Sequence, residues 1–235
     1  MNNPILEIKN LTKIYDKKQN VGIKNISFNV NRGKFHAFIG ENGAGKTTTI
    51  KSIIGAYTNL DGEILINGIS HKKAESKKIV GYVPENPIFP KEITTYEYLL
   101  ALSLLTNIPR NEINQKIEEF LKKFNILNLK NKKPSSFSSG QKKKILLIQA
   151  LIHNPELIIL DEPAANLDPS ARFELFSILK QLIDNGKTIF ISSHILSEID
   201  EFTTEVTLID NGSIVYSGPK YKHLGEMFYE KIIKK

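Results

Sequence analysis

Cysteine is absent from the 235 residues, which excludes disulfides, zinc–thiolate sites and thiol catalysis and fits a reducing compartment. Long apolar runs are absent too. The best candidate, Tyr98 to Leu105, falls well short of the roughly 20 residues that cross a bilayer, and Glu97 precedes it, so no membrane span is expected. The opening MNNPILEIKN lacks a basic segment followed by an apolar core. No secretion signal is expected there, and the cytosol is the default compartment. Internal repeats, coiled-coil heptads and low-complexity tails are also missing. Hydrophobic residues at 40% and charged residues at 24% are ordinary globular proportions, which excludes disorder and fibrous architecture. A chain of this length suits one large domain, or one domain carrying an insertion.

The net charge is +7 and the pI is near 9.3. Such a balance fits nucleic acid, an anionic membrane surface or a bound polyanion, and composition does not separate the three. The lysines gather in small groups at Lys72, Lys73, Lys77 and Lys78, at Lys142 to Lys144, and at Lys231, Lys234 and Lys235. Taken alone, each group reads as solvated surface.

Short β segments are predicted at Leu6 to Ile8, Ile26 to Val30 and Lys34 to Ile39, the last two forming a hairpin around Asn31-Arg32-Gly33. A helix from Lys46 to about Ile54 follows, stopped by Gly55. A further hairpin-like pair surrounds Asp61-Gly62 and Asn67-Gly68, and Val80 to Val83 is a short apolar strand ended by Pro84. Between Tyr96 and Phe124 the spacing turns helical, with Ile113, Ile117, Phe120, Leu121 and Phe124 on three- and four-residue steps. After a serine-rich linker, strands and helices alternate: a helix through Ile145 to Ile152, a strand at Leu157 to Leu160, and a helix from Ser170 to Ile183. A strand at Thr188 to Ser192, a helix after His194 and a strand at Val206 to Ile209 complete the series. Continuously apolar strands separated by helices imply a parallel sheet covered on both faces.

The segment GENGAGKT, Gly40 to Thr47, has the spacing of a phosphate-binding loop between a strand and a helix. Gly43 and Gly45 allow left-handed backbone, so that successive N–H groups from Gly40 through Glu41, Asn42 and Ala44 to Thr48 can converge on phosphate oxygens. Lys46 adds a point charge, and the Thr47 hydroxyl can join a magnesium shell. LIILDE, Leu157 to Glu162, delivers two carboxylates to the carboxyl end of a parallel sheet, where such folds hold ligands. Asp161 can hold magnesium, and Glu162 can orient or deprotonate an attacking water. FSSGQ, Phe137 to Gln141, opens a helix: Ser138 can cap it and Gly140 leaves its amides open, which makes either a plain N-cap or a second anion site.

The ordered set GENGAGKT, FSSGQ, LIILDEP, NLD at Asn166 to Asp168, and SSH at Ser192 to His194 resembles the ATP-binding cassette of ABC transporters over essentially the whole chain. The resemblance implies a P-loop NTPase (RecA-like) α/β core with a parallel sheet, an antiparallel β subdomain near the N-terminus and a helical subdomain at about residues 90–150. All of this would form one cassette domain over 1–235. It implies ATP and Mg2+ as cofactors and ATP hydrolysis as the reaction. In that family the segment usually written Leu-Ser-Gly-Gly-Gln faces the nucleotide of a second subunit, which would put Ser138, Gly140 and Gln141 across a dimer from the other chain's ATP. By the same resemblance, Tyr15 stacks on adenine, His194 contacts the γ-phosphate, and Asp168 links the two active sites. A core aromatic remains the plain alternative for Tyr15.

Two positions depart from the family pattern. Glu85, in GYVPEN, stands where the family more often has a glutamine that binds magnesium and water, and a plain surface glutamate is its alternative. Ser139 replaces the first glycine of the Leu-Ser-Gly-Gly-Gln segment. The compact cassette, with LDP at Leu167 to Pro169, is similar to bacterial ABC-2 type exporters. That similarity implies separate membrane subunits docked near Glu85 and the helical insertion, a place on the inner face of the cell membrane, and no specific nucleic acid partner. The alternatives are a soluble cassette ATPase acting on ribosomes or DNA, and a P-loop kinase.

Overall fold

The computed structural model describes residues 4–16, 21–106 and 108–234. Lys235 of the last lysine group and the first three residues of the opening segment lie outside them. Strands β1 (Pro4–Asp16) and β2 (Val21–Asn31) form a long antiparallel pair with several register shifts. In β2 the buried residues Ile26, Phe28 and Val30 alternate with exposed ones, the mark of a strand with one wet face. Strand β3 (Phe35–Ile39) differs, because all five of its residues are buried.

That contrast corrects the expected hairpin. β2 and β3 belong to different sheets, and the turn at Arg32 and Gly33 carries the chain from one sheet to the other. A strand apolar on both faces has to sit inside a doubly covered sheet, whereas β2 needs a single core face. The paired hairpins are instead β1 with β2, and β4 (Asp61–Ile66) with β5 (Ile69–Ser70) through the left-handed Asn67 and Gly68. The four-stranded sheet runs β2-β1-β4-β5.

Helix α1 (Lys46–Ile53) follows β3, and the single turn α2 (Ala74–Lys77) precedes β6 (Val80–Val83). The helical segment holds α3 (Thr95–Ser103), capped reciprocally by Thr94 and Glu97, and α4 (Arg110–Lys123), which buries Ile113, Ile117 and Leu121 on the predicted stripe. Helix α5 (Ser139–Leu151) leads to β7 (Leu157–Leu160), α6 (Pro169–Asp184) and β8 (Thr188–Ser192). The helix expected after His194 is the short α7 (Leu196–Ile199), followed by β9 (Glu205–Asp210), β10 (Ser213–Pro219) and α8 (Leu224–Phe228).

The six-stranded sheet runs β10-β9-β3-β8-β7-β6, with β9, β3, β8, β7 and β6 parallel and β10 antiparallel at one edge. One face of this sheet packs on the four-stranded sheet through Phe28, Phe38 and Phe190, whose ring centroids lie 5.4–5.8 Å apart, with Phe28 stacked on the other two. The other face packs on α5, α6 and the helical segment. The carboxyl ends of β3, β7 and β8 therefore open side by side, the place where parallel sheets hold ligands.

Candidate functional site

The loop after β3 needs glycine at two positions for steric reasons. Gly45 has φ of 113°, and a Cβ there would lie 2.5 Å from Ile23 Cγ2; a Cβ on Gly40 would lie 2.3 Å from the Ile209 carbonyl oxygen. Gly45 is also the N-cap of α1 and offers no side-chain cap, so the first-turn amides are left for a ligand. The left-handed Gly43, with Gly45, Lys46, Thr47, Thr48 and Asn42, lines a cleft of about 370 Å³ together with Glu85, Glu162 and His194. Glu41 and Ala44 shape the loop through the Ala44 N–H to Glu41 carbonyl bond, 3.1 Å.

Lys46 is buried, and its Nζ donates to the Gly40 and Glu41 carbonyls at 2.8 and 3.2 Å. It also lies 3.5 Å from Glu162 Oε1. The other carboxylate oxygen, Oε2, accepts from the His194 N–H at 3.2 Å and lies 2.7 Å from His194 Nδ1. Glu162 thus sits between a cation that faces the phosphate loop and an imidazole at the cleft mouth. Its backbone has φ of 43°, an uncommon conformation for a glutamate and one that recurs at functional sites. The Ser192 hydroxyl holds it there by accepting the Glu162 N–H at 2.9 Å.

The same hydroxyl donates to Asp161 Oδ1 at 2.8 Å, and Thr47 Oγ1 reaches that oxygen at 3.3 Å. Burial pushes the Asp161 carboxyl above the usual carboxylate range, the hydrogen bonds from Ser192 and Thr47 oppose the shift, and the nearby Glu162 and Glu85 charges add to it. Thr47 and Asp161 together offer hard oxygen donors, the ligand type magnesium takes. Among the described residues no three Asp, Glu or His side chains converge into an all-protein metal cage.

Tyr15 is half exposed, which removes the core-aromatic alternative. Its hydroxyl donates to Thr48 Oγ1 at 3.3 Å, and its ring meets Tyr57 edge-on at 5.7 Å, so it stands at the rim of the phosphate loop. Glu85 lines the cleft and is not an isolated surface group. Ser138, Gly140 and Gln141 do not line that cleft. They form the start of α5, where Ser138 accepts the Gln141 N–H and the Gln141 side chain accepts the Ser138 N–H, at 3.3 and 3.1 Å. Asp168 caps α6 by accepting the Ala171 N–H at 3.0 Å.

Two residues of consequence escaped the sequence reading. Ser192 stood inside SSH without a role of its own; its signal was a hydroxyl at the end of the strand paired beside Asp161. Lys143 departs from the solvated surface expected of its group: it is 4% exposed, and its Nζ donates to the Pro84 and Glu85 carbonyls at 3.1 Å each. Burial pulls its ammonium down to a pKa of about 8, against the opposing pull of Glu85 and Asp161. Leu146, Leu147, Ala150 and Leu151, three, four, seven and eight residues further along α5, mark this face as one that points inward.

Comparison with known proteins gives a consistent picture. The family model described as ABC transporter matches residues 23–165. A putative ABC transporter ATP-binding protein of Mycoplasma pneumoniae is 46% identical over 217 residues, covering 92% of this chain and 67% of that protein. The lantibiotic transport ATP-binding protein SrtF of Streptococcus pyogenes is 32% identical, covering 97% of this chain and 98% of its own length. A solved structure of the ATP-binding subunit of an ABC transporter superposes with a TM-score of 0.82 at 30% identity, covering 96% of this chain and 92% of that one. With a phosphate loop, two strand-end carboxylates and this likeness over nearly its full length, the chain belongs to the ABC transporter family as an ATP-binding subunit.

Proposed function

We propose that this chain hydrolyses ATP to ADP and phosphate and that the reaction powers transport through separate membrane subunits. The observation that carries the chemistry is the Glu162 carboxylate, set between Lys46 at 3.5 Å and His194 at 2.7 Å in the cleft that the phosphate loop lines. The backbone amides from Gly40 to Thr48, with Gly43, Ala44, Glu41 and Asn42 among them, would cradle the phosphates, and Lys46 would exchange Glu162 for the β and γ phosphate oxygens. Tyr15 would stack on adenine. Thr47 and Asp161 would hold Mg2+, with Glu85 at its water shell; when bound, the ion neutralises charge on the phosphates. Glu162 takes a proton from water as the water oxygen bonds to the γ-phosphorus and the bond to the ADP oxygen breaks; the proton then leaves with the phosphate. His194 holds Glu162 in place and reaches the γ-phosphate.

Ser138, Gly140 and Gln141 would bind the ATP of a second cassette subunit, identical or different, in a head-to-tail pair that Asp168 links. One cassette over 1–235, with a helical subdomain at about 90–150, would then work as half of that pair. Docking of a membrane subunit is supported by apolar side chains left in solvent, Ile88 at 91% exposure three residues after Glu85 and Leu105 at 83% just past α3 in the helical segment. Among the described residues no helix is long and apolar enough to cross a membrane; bound to its membrane subunits, the chain would sit on the inner face of the cell membrane. The transport names of the relatives favour this reading over work on ribosomes or DNA, and the lantibiotic relative favours export. Lys46→Ala tests the assignment of the loop: phosphate release is expected to vanish and ATP affinity by calorimetry to fall by at least tenfold, whereas unchanged affinity would remove the loop from the site.

A further inference from the structure

Lys143 occupies the second turn of α5, and elementary electrostatics disfavours it there twice. An ammonium resists burial, and a cation near a helix N-terminus opposes the dipole. Its two neighbours escape the first problem: Lys142 is partly exposed, and Lys144 pairs with Glu174 at 2.8 Å. Lys143 instead points inward at backbone that the sheet leaves unpaired. Strand β6 ends at Val83, and the carbonyls of the next two residues, Pro84 and Glu85, accept from Lys143 Nζ at 3.1 Å each. A cavity of about 220 Å³ bounded by Glu85, Asn86, Lys142, Lys143 and Asn166 lies beside the tether, so the segment is not packed tightly against the start of α5 there. Helix α5 is itself seated firmly on β6, since Gly81 approaches so closely that a Cβ there would be 2.3 Å from the Ala150 carbonyl oxygen.

We propose that Lys143 is a positioning residue for hydrolysis: by holding the Pro84 and Glu85 carbonyls, it fixes the Glu85 carboxylate at the phosphate cleft and ties it to α5, the helix that Ser138 caps. The inference rests on the reading of that cleft as the ATP site. Its consequence is mechanical. Whatever engages the start of α5 moves the Glu85 segment with it, because the two share one ammonium. The chain can therefore sense an occupant at Ser138 in its own cleft without any contact between Ser138 and the phosphate loop.

The test measures phosphate release, with kcat and the KM for ATP at saturating magnesium, together with amide hydrogen exchange over residues 84–89. Lys143→Met should lower kcat roughly tenfold or more, the scale on which small misplacements act, while KM stays within about twofold. Exchange over 84–89 should quicken, and Lys143→Arg, which still donates to two carbonyls, should restore kcat to within about threefold. In a Glu85→Ala background, Lys143→Met should cost less than about twofold more, because the group it positions is gone. A Lys143→Met protein with wild-type kcat and unchanged exchange would overturn the proposal, as would losses that multiply in the double variant. Should the methionine variant fail to fold, Lys143→Gln, with one donor kept and the charge removed, carries the same comparison. Wild-type protein that releases no phosphate would remove the ATPase reading and this proposal with it, whereas active wild type with an indifferent Lys143 would remove this proposal alone.

Discussion

His194 Nδ1 lies 2.7 Å from Glu162 Oε2, and the His194 main-chain N–H reaches the same oxygen at 3.2 Å, so one residue grips the carboxylate with ring and backbone together. An ionised carboxylate accepts, which fixes the proton on Nδ1 and turns Nε2 outward to the cleft. The ring contact can be removed while the backbone contact stays. His194→Ala should lower kcat by roughly 10- to 100-fold with ATP affinity nearly unchanged, as measured by phosphate release beside calorimetry. Loss of ATP affinity with unchanged kcat would assign His194 to binding only.

Ser192 is expected to matter more than its size suggests. Its hydroxyl donates to Asp161 at 2.8 Å and accepts from the Glu162 N–H at 2.9 Å, and both partners are buried. Ser192→Ala leaves that N–H without its acceptor, at a cost of about 1–3 kcal/mol in unfolding free energy, and frees the strained Glu162 backbone. Urea denaturation should show the stability loss, and hydrolysis should fall by at least tenfold. Ser192→Thr keeps the hydroxyl and should recover most of the activity.

A pH dependence follows from His36, which is fully buried in β3 with Nε2 2.8 Å from Thr207 Oγ1. Burial pulls its imidazole below the usual value, and the Glu205 carboxylate only partly opposes this. The unfolded chain therefore binds the proton more readily than the folded one, and stability is lost as pH falls below about 6.5. The buried His71 and the half-buried His153 shift in the same direction. Between pH 7 and 5.5, His36 should account for up to about 1 kcal/mol of the loss. Urea midpoints at the two pH values should differ less in His36→Gln than in wild type; an equal difference would show that His36 titrates normally.

The phosphate loop, the strand ending in Asp161 and Glu162, and the helical stripe of α4 were all legible because each is written in local spacing. What was not legible is set by which sheet a strand enters and by which lysine turns inward. β2 and β3 read as a hairpin since a turn joins them, yet β3 is buried on both faces and crosses to the other sheet. Lys143 looked like its neighbours because its partners are main-chain carbonyls of Pro84 and Glu85, far back in the sequence and carrying no side-chain signal. Ser192 lay inside a motif that was seen, but its two bonds depend on the parallel pairing of β7 and β8. Long-range register, unlike helical period, leaves little trace in a single sequence.

In the proposed mechanism Glu162 supplies the charge for hydrolysis within a pair of cassettes that close on ATP. Glu162→Gln keeps the size and one acceptor while removing the negative charge, so ATP and magnesium should still bind while turnover falls by about 10²- to 10⁴-fold. The closed pair should then accumulate. Size-exclusion chromatography with light scattering, run beside a phosphate-release assay, should find Glu162→Gln dimeric with ATP and magnesium at micromolar concentration. Wild type under turnover, and either form with ADP, should be mainly monomeric, and adding Ser138→Arg to the Glu162→Gln chain should return it to monomer. A Glu162→Gln protein that hydrolyses ATP at the wild-type rate would contradict the catalytic role, and an inactive one that stays monomeric with ATP would contradict the paired site.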